Sequence, residues 1–182
     1  MAIQKDKPMP GIAFKAMSFY FALRHRLEDV TKPLKKAGIT EGQIVLDFGC
    51  GPGHYTIAAA KMVGESGRVY ALDIHPLAAR SVEKKAAKKS LTNIKTIISD
   101  RDTGLPDQSI DTALVYDTIH MIKDKQALAR ELHRVLKPDG LLSVIAEHVK
   151  VEDIIRILEK DGPFSLRDRQ GNLINLKRLT PK

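Results

Sequence analysis

One cysteine, Cys50, stands in a chain of 182 residues. No internal disulfide can form, so the fold must rest on its core. That usage suits a reducing compartment, and the expected location is the cytoplasm. No apolar run approaches the roughly 18 residues of a membrane-spanning helix. The opening M-A-I-Q-K-D-K-P-M-P lacks the apolar centre of a secretory signal. Internal repeats, low-complexity tracts and metal-ligand clusters are absent from the pattern. Acid is scarce relative to base, 22 Asp and Glu against 30 Lys and Arg, which leaves a net charge of +8. A field of that sign attracts nucleic acid, anionic lipid or an acidic substrate, unless it is simply a solvated surface. What the chain does have is a hydrophobic fraction of 43 %. That is enough for a real core, at a length expected of one domain.

The core is organised around Gln43 to Tyr55, Q-I-V-L-D-F-G-C-G-P-G-H-Y. Ile44, Val45 and Leu46 form a short apolar run, the mark of a strand buried on both faces. Asp47 closes the run. Gly49, Gly51 and Gly53 follow at alternate positions, and Tyr55 to Val63 reads as a helix. Strand, glycine turn and helix make the first half of a mononucleotide-binding unit. Glycine admits positive φ and lets backbone N–H groups come close to a ligand. The following helix turns its positive end to the same spot. Two absences narrow the ligand. His54 stands where the dinucleotide fingerprint needs a third glycine, so the spacing is GxGxG and not GxGxxG. No G-K-[ST] follows, which excludes a P-loop. Asp47, directly ahead of the loop, would repel a pyrophosphate. An acid there suits a cationic ligand, such as S-adenosylmethionine with its ammonium and sulfonium.

V-L-D-F-G-C-G-P-G resembles the first motif of the class I S-adenosylmethionine-dependent methyltransferases. H-R-V-L-K-P-D-G, His133 to Gly140, resembles the approach to strand five in their small-molecule and quinone-type (type 11-like) subfamily. Asp139 stands where that subfamily commonly has a second glycine, and Asp-Gly turns the chain equally well. The likeness covers roughly residues 35 to 180. It implies a doubly wound α/β fold with a mostly parallel seven-stranded sheet, a closing antiparallel hairpin and an N-terminal helical segment. It implies S-adenosylmethionine as cofactor and a small-molecule or lipid-like methyl acceptor. The single cysteine sets the chain apart from arsenite-methylating relatives, which use several.

Residues 1 to 11 read as a tail broken by Pro8, Pro10 and Gly11. Ile12 to Lys36 has helical composition, with Pro33 expected to end one helix and start another. Phe14, Met17 and Phe21 fall on one helical face; Tyr20, Leu23, Leu27 and Val30 fall on a neighbouring one. This helix either packs plainly on the domain or, as in similar proteins, forms a lid. The chain thus divides into a tail-and-lid segment, 1–36, and a cofactor-binding domain, 37–182. Arg68 to Leu72 is strand two, ending at Asp73. That acid lies 20 residues past Gly53, close to the spacing at which an acid meets the ribose hydroxyls in nucleotide-binding α/β folds. A carboxylate accepts both hydrogen bonds of a vicinal diol, and Ile74 would then lie against the adenine. Pro76 fits the first turn of a helix running to about Ser90. His25 and His75 carry no signal.

Ile94 to Ile98 is strand three, closed by Ser99 and Asp100, and Ile110 to Tyr116 is strand four, closed by Asp117. Asp124 caps the next helix. Pro138-Asp139-Gly140 turns into strand five, Leu141 to Glu147. A helix with Val151, Ile154, Ile155 and Leu158 inward follows, then a hairpin of Phe164–Arg169 and Leu173–Lys177. Strands alternating with helices predict a parallel sheet covered on both faces.

Asp47, Asp73, Asp100 and Asp117 each close one of strands one to four, at the edge where open α/β sheets bind ligands. Helix capping accounts for one or two of them; a cationic ligand with a ribose and an adenine accounts for all four. By the resemblance, Gly49, Cys50, Gly51 and Gly53 belong to the cofactor site, and Asp100 faces the adenine amino group with Arg101 beside it. Methyl transfer from a sulfonium needs a general base only if the acceptor must lose a proton. His120, just past strand four, is the catalytic candidate, with His148 behind it; either is alternatively a structural histidine. No insertion separates strand five from the hairpin, apart from one helix. An acceptor pocket would then be open, completed by residues 12 to 36, by a second copy in a homodimer, or by a bulky acceptor. Two alternatives stay open. The charge allows an RNA or protein methyltransferase, although Asp117-Thr118-Ile119-His120 stands where amino-base methylases usually carry N-P-P-Y. A non-catalytic S-adenosylmethionine-binding protein would keep the same acids and glycines.

Overall fold

The central strands send alternate side chains to opposite faces, and both faces are covered. On β1 (Ile44–Phe48) Leu46 and Phe48 point one way and Val45 the other. On β4 (Ile110–Tyr116) Ala113 and Val115 join the first group, Leu114 and Tyr116 the second. Near-continuous apolar runs are what a parallel strand buried on both sides requires. In this computed structural model residues 6–160 and 163–179 are described, without the side chains of 25–27. Residues 1–5 of the expected tail, His25 and Leu27 as side chains, and 180–182 therefore lie outside the described residues.

The sheet has seven strands in the order β3-β2-β1-β4-β5-β7-β6. β2 is Arg68–Asp73, β3 Ile94–Ile98, β5 Leu136–Ile145, β6 Phe164–Gln170 and β7 Leu173–Arg178. β1 to β5 pair in parallel, and β7 joins β5 antiparallel with β6 outside it. The expected doubly wound fold with a closing hairpin is borne out. One face carries α3 (His54–Val63) and α4 (Pro76–Lys88), together with α1 (Gly11–Leu27) and α2 (Thr31–Lys36); the other carries α5 (Lys125–Val135) and α6 (Val151–Glu159). Their inward faces follow the 3.6-residue period, as in α6, where Val151, Ile154 and Leu158 are buried.

Beside shifts of one or two residues at several element ends, three boundaries differ in kind from the sequence reading. Pro33 does not divide the N-terminal helices; it sits in the first turn of α2, where a missing N–H is harmless. The break is at Asp29, whose carboxylate accepts from the backbone N–H of Thr31 (2.9 Å) and from its hydroxyl (2.7 Å), and so opens the new helix. Pro138-Asp139-Gly140 is not a turn ahead of β5 but an irregularity within it. Leu136 already pairs with Ile110, and the register then jumps to Leu141 against Thr112. β5 also ends at Ile145, so Glu147 stands beyond the strand.

Candidate active site

The glycine loop sits between β1 and α3 with Gly49, Gly51 and Gly53 at φ of +74°, +49° and +85°. A Cβ on Gly49 would stand 2.5 Å from the Thr118 side chain, and one on Gly53 2.6 Å from Val82. One on Gly51 would meet nothing within 4 Å. The N–H groups of this loop are spent inside the protein. Gly49 and Cys50 both donate to the Leu72 carbonyl (2.8 and 2.9 Å), Gly53 donates to the Cys50 carbonyl (2.9 Å), and Gly51 donates to the Asp73 carboxylate (2.8 Å). The expected approach of loop N–H groups to a ligand is thus corrected. This turn is not a phosphate cradle, because its donors already have acceptors. Behind it, Ser81 and Lys85 of α4 donate to the Pro52 carbonyl.

A cleft of about 990 Å³, counted out to its open mouth, lies against the loop. Asp47, Asp73, Asp100 and Asp117 all line it, as do Gly49, Cys50, Gly51 and Ile74. The four acids differ in state. Asp47 is buried and accepts from the Thr56 hydroxyl at the start of α3. Burial pushes its carboxyl up to about 7. Asp73 accepts from Gly51 on one oxygen and from the His75 N–H (2.7 Å) on the other. Burial raises it as well, against those two bonds. Asp117 has φ +54°. Its two oxygens are buried without a hydrogen-bond partner among the described residues, although Arg24 Nη1 stands 3.9 Å away. Burial, and then Glu147, push it up to about 6. Asp100 is half-buried on the same wall.

The opposite wall is apolar. Phe14, Met17 and Phe21 of α1 line the cleft, with Met9 ahead of them and Met121 and Ile122 from the segment after β4. Asp6 and Lys7 also reach the cleft, so part of what reads as a tail is wall. Phe14 stacks on the His75 ring, with centroids 4.4 Å apart. His75, which gives no signal in the sequence, caps α4: its Nδ1 accepts from the Leu77 N–H (3.1 Å).

Arg24 continues the Phe14, Met17, Phe21 row by one more step. Its guanidinium holds Glu147 with two bonds, Nη1 to Oε2 at 3.0 Å and Nη2 to Oε1 at 2.6 Å. Those bonds hold the Glu147 carboxyl below the usual range. Glu147 is the fifth acid in the strand-end series, and sequence reasoning stopped at four. Its signal was available: a charged side chain on an otherwise apolar helix face needs a buried partner.

Of the sequence-predicted site residues, Gly53, Arg101, His120 and the second catalytic candidate His148 are not on the cleft wall. The Arg101 guanidinium points to Asp124 (3.7 Å) at the start of α5, not to the cleft. His120 lies in a short 3-10 turn, Ile119–Met121, and packs its ring on His148 with centroids 5.1 Å apart. Its buried Nδ1 has no hydrogen-bond partner among the described residues, and burial lowers its pKa. Thr118 and Met121 on either side reach the wall; His120 does not. Among the described residues no group of His, Cys, Asp or Glu is arranged to hold a metal ion, and no helix is long and apolar enough to cross a membrane.

Comparison with known proteins gives one consistent result. Residues 39–173 match the family model of the methyltransferase domain. The demethylmenaquinone methyltransferase of Geobacillus sp. (strain WCH70) is 29 % identical over 128 residues, covering 70 % of this chain and 55 % of that protein. The one from Lactobacillus johnsonii is 32 % identical over 69 % of this chain and 52 % of that protein. The chain spans about half the length of the curated relatives it matches. A crystal structure of an S-adenosylmethionine-dependent methyltransferase from Aquifex aeolicus superposes with a TM-score of 0.78 at 26 % identity, covering 94 % of this chain and 98 % of that one.

Proposed function

The chain belongs to the methyltransferase domain family, and from that premise we propose that it transfers a methyl group from S-adenosylmethionine to a small-molecule or lipid-like acceptor by in-line displacement. The observation that carries this reading is a cleft with one acidic wall and one apolar wall, closed by a glycine loop whose N–H groups are already spent. The residues present fit the family's cofactor. A loop with no free donors offers nothing to a phosphate, whereas buried acids attract a sulfonium and an ammonium. Asp73 keeps a lone pair on each oxygen for the ribose hydroxyls. Ile74 offers an apolar surface to the adenine and Asp100 an acceptor to its amino group. Asp47 and Asp117 flank the first glycine and take the charged methionyl end. Arg101 is left out of the set, because Asp124 holds it elsewhere.

The bound cofactor would supply an electrophilic methyl group. The chain's own part is positioning, which is worth about 7–11 kcal/mol when nucleophile and electrophile are held in line. The α1 helix excludes water from one side, and Asp117 stands where the apolar wall begins. Phe14, Met17, Phe21 and Met121 give an acceptor an aromatic and thioether surface rather than hydrogen bonds. That wall, with relatives named for demethylmenaquinone, supports a flat apolar or lipid-like acceptor. The test is methyl-labelled S-adenosylmethionine incubated with the protein and a fractionated cell extract. Label in the organic-soluble or small-molecule fraction is the expected result. Label in RNA or protein would assign a macromolecular acceptor instead, and binding of NADH without binding of S-adenosylmethionine would overturn the reading altogether.

A further inference from the structure

The inner face of α1 is spent on the cleft, yet its outer face is apolar too. Ile12, Phe19, Tyr20 and Leu23 are 85, 74, 60 and 56 % exposed. At 3.6 residues per turn, Ile12, Ala16, Phe19 and Leu23 form one narrow stripe, with Tyr20 along one border and exposed Lys15 along the other. A helix apolar on both faces is not built to stand in water. The question is what covers the outer one.

Charge rather than area decides the occupant, since the apolar part of a standard protein interface is roughly 450 Å² per partner, about what four such side chains present. A helix lying in a membrane interface needs only its own face, sunk ~5–10 Å. Charge favours the membrane. Exposed Lys15 borders the stripe, no acid lies between Lys7 and Leu27, and α2 adds exposed Lys32, Lys35 and Lys36, while Arg24 is turned inward onto Glu147. Two such surfaces repel each other, on a protein of net charge +8, while anionic headgroups attract them. The place of the helix agrees, since its other side roofs the cleft. We propose that the outer face of α1 is an interfacial anchor that seats the protein on an anionic phospholipid surface, with α1 lying between bilayer and cleft. This rests on the reading of the acceptor as lipid-like.

The experiment uses the full chain and its Phe19→Ser/Leu23→Ser variant. Each is floated with vesicles of phosphatidylcholine alone or of phosphatidylcholine with phosphatidylglycerol, at low and high salt. The proposal expects binding to the anionic vesicles that salt weakens and that the variant loses by roughly tenfold or more. S-adenosylmethionine affinity of the variant in free solution should equal that of the parent, which shows that the fold is intact. Three results would each overturn the proposal. They are a parent left behind by anionic vesicles, a variant that floats as well as the parent, and a dimer seen in sedimentation, abolished in the variant, with no vesicle binding. Loss of cofactor binding by the parent itself is a separate failure, and it falls on the methyl-transfer reading.

Discussion

Glutamine in place of Glu147 keeps the side chain's shape and removes the charge that holds α1. Two bonds from Arg24 end on that carboxylate, at 3.0 and 2.6 Å, in a partly buried setting. A hydrogen bond to a charged group contributes about 1.5–3 kcal/mol. Glutamine keeps one acceptor oxygen, and Arg24 keeps Glu28 at 3.1 Å, so the net loss should be about 1–2 kcal/mol. None of the sheet packing changes, so the loss falls on local opening of α1 and not on global unfolding. A cost of that size raises the open population about 5- to 30-fold. Amide hydrogen exchange reads this directly. In the Glu147→Gln variant, the amides of residues 14–24 should exchange faster by that factor, while those of β4 keep the parent's rates. Cofactor dissociation should speed up in parallel. Unchanged exchange in α1 would refute the latch. Equal acceleration in α1 and β4 would show that the pair supports the whole fold rather than the roof.

The remaining predictions concern the acids and His120. Asp47 keeps its proton up to about pH 7 when folded but only to 3.8 when unfolded; its burial therefore costs nothing below about pH 4, and stability falls as the pH rises toward 7. The Asp47→Asn variant should lack that slope, gaining on the parent by on the order of 4 kcal/mol across the window in denaturant titrations. A cationic cofactor favours the ionised forms of Asp47 and Asp117, so binding near pH 6 should release protons and tighten as pH rises toward 7. Calorimetry in buffers of different ionisation enthalpy would read the release, and proton uptake would contradict it. His120→Asn should change kcat by less than about threefold at every pH, because the ring is off the cleft wall; a general base would cost roughly 10²–10⁴-fold.

Local physics made much of this legible. The apolar runs of β3 and β4 have the bounds their composition indicates, and Pro76 opens α4 because its fixed φ suits a first turn. Four of the five strand-end acids line one cleft because a parallel sheet brings all its carboxyl ends to one edge. What stayed hidden was set by partners far away in the chain. Glycine at 49 and 51 announces conformational freedom but not the direction of an N–H, which is fixed here by Leu72 and Asp73 on the neighbouring strand. Arg24 meets Glu147 across 123 residues, beyond any window of periodicity. Arg101 and His120 were placed at the right edge of the sheet. Their side chains then turned toward Asp124 and His148, a choice of rotamer and packing that no spacing encodes.

The three loop glycines also divide the labour between inheritance of a shape and admission of a guest. Side chains at Gly49 and Gly53 would collide with Thr118 and Val82, so changes there remove the protein before they test its site. Gly51 faces open space at φ +49°, where alanine carries only the left-handed strain of about 1–2 kcal/mol. A survey that scored activity alone would rank all three as equally intolerant. Scored for soluble yield as well, only Gly51→Ala should give a folded but silent protein: the same sheet and the same roof, with a methyl group standing in the doorway.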